Sequence, residues 1–500
     1  MLAWLKRAVL VLGPLLLAVG FGTTLSGCSG GGGGGGSTSG NTPTTPAATT
    51  SVVSAGPITR FGSVVLNGIE FDTTQAAIQI DDRVGREDEL RLGMRVIVEG
   101  VQDNTGGAKA TRVTFRKSVA GLIDRIDTVN NTLVVLGQPV MVEALTVLED
   151  SAQTGSIALS NLAVGQFVDV SGLIDANGVI VATRIERKAG FIPGSTEVEA
   201  RGTLSRLDTT AKTFVLGVQT VSFGTATVVG TLSNGTFVQV RGTQTSSGGV
   251  VTATRVTVED PTVSGPAGTK VEVEGFVTAF ASPTAFRVQG QAVTTTSQTV
   301  FANGTVADLA QNVRLEVEGP LDANGTLVAE KISLRRRNGG TVRLEADVEG
   351  LTATTVIVLG LVVRVDALTQ FKDDMQGERN FRLDHIRQGD RVEIRGVVDA
   401  QGNLVATRVR RRPPTPEVVF QGTVDSVAFP NLVIRGVEIQ TDGATVFKDF
   451  GPNRPTAAQF FTVLRPETLV KAKGVVLRGA PVAIRATQVE LADPDRDDDL

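Results

Sequence analysis

The 500-residue sequence holds no tyrosine, one tryptophan, one histidine and one cysteine. Each shortage removes a class of function. A single cysteine, Cys28, cannot close a disulfide within the chain, and with His385 as the lone imidazole no zinc site of His and Cys ligands can be assembled. His385 stands beside Asp384 and Arg382 without a counterpart elsewhere, so it reads as a solvated or capping side chain rather than a general base. No enzyme activity, cofactor or metal is expected. Single-strand nucleic-acid binders stack bases on aromatic rings, and neutral-sugar binders lean on the same residues. Here Trp4 falls in the leader and most phenylalanines alternate with apolar strand positions, so nucleic acid is not expected as a partner. Loss of Lys6 and Arg7 with that leader would take the net charge from −4 to near −6, which gives no general attraction for polyanions.

Long hydrophobic runs are also missing, apart from residues 8–19, which follow Lys6 and Arg7 and precede Leu25-Ser26-Gly27-Cys28. A charged start, a short apolar run broken by Gly13 and Pro14, and a small-residue cleavage site make a signal peptide over residues 1–27. The four residues ending at Cys28 resemble the lipobox of bacterial lipoproteins. That resemblance implies a lipidated Cys28 as the sole membrane attachment, and Ser29 after it implies sorting to the outer membrane. Residues 28–56 are rich in Gly, Ser, Thr and Pro, including seven consecutive glycines at 30–36. Such a tether reaches on the order of 30 Å.

What is abundant is repetition. Six blocks share a glycine followed by the tetrapeptide Ala-Thr-Arg-Val/Ile: Gly100 with Ala110-Thr111-Arg112-Val113, Gly172 with Ala182-Thr183-Arg184-Ile185, Gly242 with Ala253-Thr254-Arg255-Val256, and Gly396 with Ala406-Thr407-Arg408-Val409. Two copies have drifted, to Ala329-Glu330-Lys331-Ile332 and Ala486-Thr487-Gln488-Val489. Valines alternate before each glycine, as in Val168 and Val170, which marks half-buried strands. Further upstream a β-branched run ends in a glycine, as in Leu133-Val134-Val135-Leu136-Gly137, where one strand turns into the next. Thr146, Thr227, Thr299, Thr369 and Thr445 follow nine or ten residues later, and Ala77 takes that place in the first block. Leu and Ile at three-residue spacing then predict a short helical turn before the last two strands.

Three strands, a helical turn and two strands is the order of the OB-fold, an order that other small barrels and sandwiches share. The fold class is therefore all-β: six tandem small barrels over residues 57–118, 119–192, 195–260, 268–338, 341–413 and 417–492, closed by an acidic tail at 493–500. Modules one and two have no spacer and are expected to form a rigid pair. The motif series resembles an uncharacterised bacterial repeat family of secreted proteins and lipoproteins, a domain of unknown function with OB-like modules. The resemblance covers nearly all of the body, with modules three, four and six departing most, and it implies a fold and an envelope location but no catalytic residues.

Two sets of basic residues stand out. On an ideal strand Ala and Arg of the signature share one face and Thr and Val the other, so a Val core would turn Arg112, Arg184, Arg255 and Arg408 outward as a candidate anion-binding strip. Four modules also end in bases: Arg116 and Lys117; Arg187 and Lys188; Arg335, Arg336 and Arg337; Arg410, Arg411 and Arg412. These are solvated junctions or sites for an anionic glycan or lipid phosphate. Asp175-Ala176-Asn177-Gly178 and its kin suit hairpin turns better than calcium loops. The acid pairs Asp81-Asp82 and Asp373-Asp374 point to opposite strand faces, which suits no glycosidase pair. The expected role is a lipid-anchored envelope scaffold with an envelope protein as partner, or alternatively a module for anionic glycan.

Overall fold

The computed structural model describes residues 49–103, 107–151, 157–335, 342–399, 401–449, 454–477, 479 and 482–493. The leader, Cys28, the tether up to residue 48, Arg336, Arg337 and tail residues 494–500 lie outside them.

Module two shows the repeating unit. Its strands are Val119–Asp127, Thr132–Val135, Gln138–Asp150, Phe167–Ile174 and Ile180–Lys188. The first pairs antiparallel with the second and the second with the third. The third runs parallel to the fifth, which pairs with the fourth, and the fourth returns to the first. This ring in the order 1-2-3-5-4 is a closed OB-like barrel. Alternate side chains such as Leu133, Val135, Val140 and Val168 fill it, and a 3-10 turn, Leu159–Asn161, plugs it with the fully buried Leu159. The turn between the second and third strands needs positive φ at two successive residues, Leu136 (48°) and Gly137 (68°), a geometry that matches the strand twist. The same ring of pairings recurs in modules three to six. In module one an isolated bridge between Arg60, just beyond the first strand, and Val65 of the second strand stands in that place of the ring. Module six replaces the 3-10 turn with an α-helix, Ala457–Val463, capped by Thr456 and anchored by the buried Phe460 and Phe461.

Two expectations change. Module one begins with the strand Thr49–Pro57, earlier than residue 57, because a Thr/Ser/Ala/Gly stretch reads as tether although Val52, Val53 and Ala55 are buried. Modules one and two lie in different sheets. Residues Val52–Ala55 of module one pair in parallel with Lys270–Val273 of module four. Modules two and three join through Ala120 and Glu199, and modules five and six through Leu344 and Phe420. One apolar cluster spans modules two and three and another modules five and six, whereas modules one and four, although joined in one sheet, keep two separate clusters. Among the described residues, modules one and two meet through side-chain and loop contacts, such as the Thr183 hydroxyl donating to the Gly93 carbonyl at 2.6 Å.

Candidate functional site

The signature strand is built around one extra residue. Glu99 pairs with Arg112 and Gly100 with Ala110, so Thr111 is left over as a β-bulge, and the same shift recurs at Gly172, Gly242, Gly396 and Gly474. A bulge resets the alternation. Ala110 and Val113 therefore face the same core, at 4% and 0% exposure, which corrects the expected assignment of faces. The bulged threonine closes the gap: Thr111, Thr183, Thr254, Thr407 and Thr487 each donate to the carbonyl of the residue before the glycine, at 3.1 to 3.2 Å. The glycine has no alternative, since a Cβ at Gly172 would stand 2.5 Å from the Val181 carbonyl. Threonines upstream in each module complete the lock, with Thr146, Thr299, Thr369 and Thr445 donating to the carbonyls of Ala182, Ala329, Ala406 and Ala486 at 2.7 to 2.8 Å.

The four arginines meet different fates. Arg112 and Arg255 are exposed. Arg184 and Arg408 are each 4% exposed, so the four do not form one outward strip. The reason is the neighbour. Arg184 donates to Glu149 and Glu186 of its own module at 2.9 and 3.0 Å and reaches the Leu92 carbonyl of module one. Arg408 donates to Gln370 at 2.8 Å and, across the boundary, to the Ala144 carbonyl of module two at 2.5 Å. Burial, reinforced by Arg410 and Arg395, pushes the Arg408 guanidinium down to about 9.

The basic module ends are likewise engaged. Arg116 faces Asp82 and Glu259, the latter from module three, and Lys117 lies 3.2 Å from both Asp81 and Asp169. Arg187 pairs with Asp150, Lys188 with Glu186, and Arg335 with Glu316. Arg410 and Arg412 share Asp374, while Arg411 holds Asp373 at 2.7 Å. The acid pairs thus serve as counter-charges. His385 lies 2.7 Å from Glu378, at the edge of Phe381. The Asp175 carboxylate accepts from the amides of Asn177 and Val179, which makes that segment a hairpin turn.

Sequence reasoning missed one feature, a cavity of about 780 Å3 where modules one, two, four and five meet. Bulge residues Ala182, Thr183, Ala406 and Thr407 line it, together with Asn67, Glu143, Glu274 and Arg314. No local pattern signals it, because its walls come from four modules brought together by the contacts just described.

The repeat geometry has a counterpart in sequence. The model of a domain of unknown function, DUF5666, matches residues 52–114, 120–186, 201–257, 274–333, 345–410 and 421–490. The chain belongs to the DUF5666 family. No curated protein matches it. Among solved structures, the DUF5666 chain is similar to two forms of the single-stranded DNA-binding protein from Thermus aquaticus. The wild type is 12% identical with a TM-score of 0.15, covering 30% of this chain and 92% of that one. A deletion mutant is 11% identical with a TM-score of 0.16, covering 30% and 93%. The exclusion of nucleic acid as a partner is corrected by this finding: it rested on missing aromatic platforms, while the similar chains are single-stranded DNA-binding proteins. Likeness at that level supplies no positive case for DNA binding by this DUF5666 chain.

Proposed function

We propose that this DUF5666 chain is a non-enzymatic interaction scaffold of the cell envelope, anchored through a lipidated Cys28. The observation that carries the reading is where its charged side chains go. Arg184, Arg408, Arg116 and Lys117, the residues best placed by type to hold an anion, are engaged within and between modules. What recurs from module to module is a folding device, the Gly and Thr bulge, rather than a polar constellation open to a substrate. Joined sheets and bridging arginines suit a rigid body that presents several barrel surfaces at once, and the signal-peptide pattern before Cys28 supports placement at a membrane.

Fractionation and cross-linking on intact cells test the reading together. The wild type should sediment with membranes and cross-link to a discrete protein, while Cys28→Ala should move to the soluble fraction. A Cys28→Ala chain that stays wholly with membranes contradicts the anchor, and a wild type that yields no cross-linked protein contradicts the scaffold.

A further inference from the structure

Module three differs from its siblings at the end of the barrel where the third strand stops. A helical turn follows that strand in modules one, two, four, five and six, and it places Leu90, Leu159, Leu309, Ile386 or Phe460 in the core. Among the described residues module three has no such turn. Residues 230–236 run directly from the segment Thr227–Val229 to the strand Phe237–Thr243, and Leu232 is only half-buried. The consequence shows at one position. The residue that faces the signature Val or Ile across the parallel ladder is Ile78, Leu148, Phe371 and Phe447 in modules one, two, five and six, each 3 to 9% exposed, and Phe301 of module four is half-buried. Its counterpart in module three, Val228 opposite Val256, is 39% exposed.

The same segment offers an open strand edge. Thr227–Val229 pairs on one side with the signature strand, and among the described residues no strand lies on the other. In module one the matching edge is covered by Arg83–Val84. In module five the Phe371 amide donates to the Thr59 carbonyl of module one at 3.3 Å, so this edge accepts backbone from outside its own barrel. Charge selects what fits in module three. Arg255, opposite Thr227, is exposed, its Nε donates to the Thr257 hydroxyl at 3.3 Å, and no carboxylate pairs with it among the described residues. A strand laid along Thr227–Val229 would alternate its side chains, one face over Val228 and the other beside Thr227, within reach of the long Arg255 side chain. We propose that this end of module three docks an extended segment of a partner protein in which large apolar and acidic residues alternate. The segment adds a strand to the open edge, its apolar side chain takes the place of the absent turn over Val228, and its carboxylate meets Arg255. This docking site rests on the scaffold reading and gives it a surface and a partner chemistry.

A capped hexapeptide alternating aspartate and leucine, titrated into the purified full chain by calorimetry, is the direct test. Two control peptides alternate lysine with leucine and aspartate with serine. The titration needs neither membrane nor cell partner, so its outcome is independent of the fractionation and cross-linking that test the scaffold. The aspartate and leucine peptide should bind with a Kd below about 1 mM, and both controls about tenfold more weakly. Val228→Ser should weaken that peptide about fivefold, and Arg255→Glu should turn the preference toward the lysine peptide. Both side chains are exposed, so both variants should keep the wild-type far-ultraviolet spectrum. The proposal is overturned if the aspartate and leucine peptide gives no heat at about ten times that concentration, or if either variant binds it unchanged. It is equally overturned if the full chain forms a dimer that Val228→Ser dissociates, which would make a second copy the occupant.

Discussion

Modules two and five carry the same Ala-Thr-Arg-Val/Ile strand as modules one and three, and the arginine within it does different work in each pair. In all four the bulge holds the alanine and the valine or isoleucine in the core and turns the arginine away from it. Arg184 and Arg408 then meet another module, are buried, and each donates to one of its carbonyls, whereas Arg112 and Arg255 meet solvent. One motif therefore has a fixed part and a variable part. Glycine, alanine, threonine and valine belong to the barrel, and the arginine takes its role from whatever stands beside that barrel.

The largest effects should come from the fixed part and be equal across modules. Gly100→Ala and Gly172→Ala place a Cβ 2.2 and 2.5 Å from a backbone carbonyl, so each should cost about 2 to 3 kcal/mol in urea unfolding. A large difference between the two would break the claim that the bulge is common property. At the level of whole modules, residues 119–260 should form a soluble β unit when excised, because modules two and three share a sheet and a core. Residues 57–188 should fold poorly, having lost the strand Thr49–Pro57 and the pairing to module four. Far-ultraviolet dichroism and gel filtration of the two fragments distinguish the outcomes.

The junction of modules one and four supplies a pH test. Glu272 sits there opposite Ser54 of module one and across the ladder from Glu318, and burial, followed by Glu318 and Glu316, pushes its carboxyl up to about 8. Lys270 and Lys331 oppose that shift. Between the ordinary 4.5 and about 8 the native chain holds a proton that the unfolded chain has released, so Glu272 makes stability fall as pH rises through that window and level off above it. Glu272→Gln should flatten this part of the stability profile, measured by chemical unfolding from pH 5 to 9. An unchanged slope would show that Glu272 is ionised in the native chain.

Much of the barrel was legible because strand alternation and turn glycines are local signals: Leu133 to Gly137 predicted the second strand and its turn as found. The threonines near residues 146 and 369 were visible as a recurrence, but their role was not, since each bonds a carbonyl more than thirty residues away. The faces of the signature strand were misread because period-two reasoning assumes an unbroken ladder, and a bulge at Thr111 is invisible until its partner strand is known. Module pairing was misread for the same reason. The absence of a linker between Lys117 and Val119 says nothing about which strand edge finds which, and Val52 to Ala55 pair with residues more than two hundred positions away. The candidate cavity, assembled from four modules, had no local trace.

The central claim is that equivalent arginines differ only through their neighbours, and urea unfolding of four single variants tests it most directly. Arg184→Gln and Arg408→Gln should each lose about 1 to 3 kcal/mol, because the first leaves the Leu92 carbonyl and two acids without their donor and the second leaves Gln370 and the Ala144 carbonyl without theirs. Arg112→Gln and Arg255→Gln should each change stability by less than about 0.5 kcal/mol. Equal losses in all four would contradict the account and return the arginine to the common framework of the barrel.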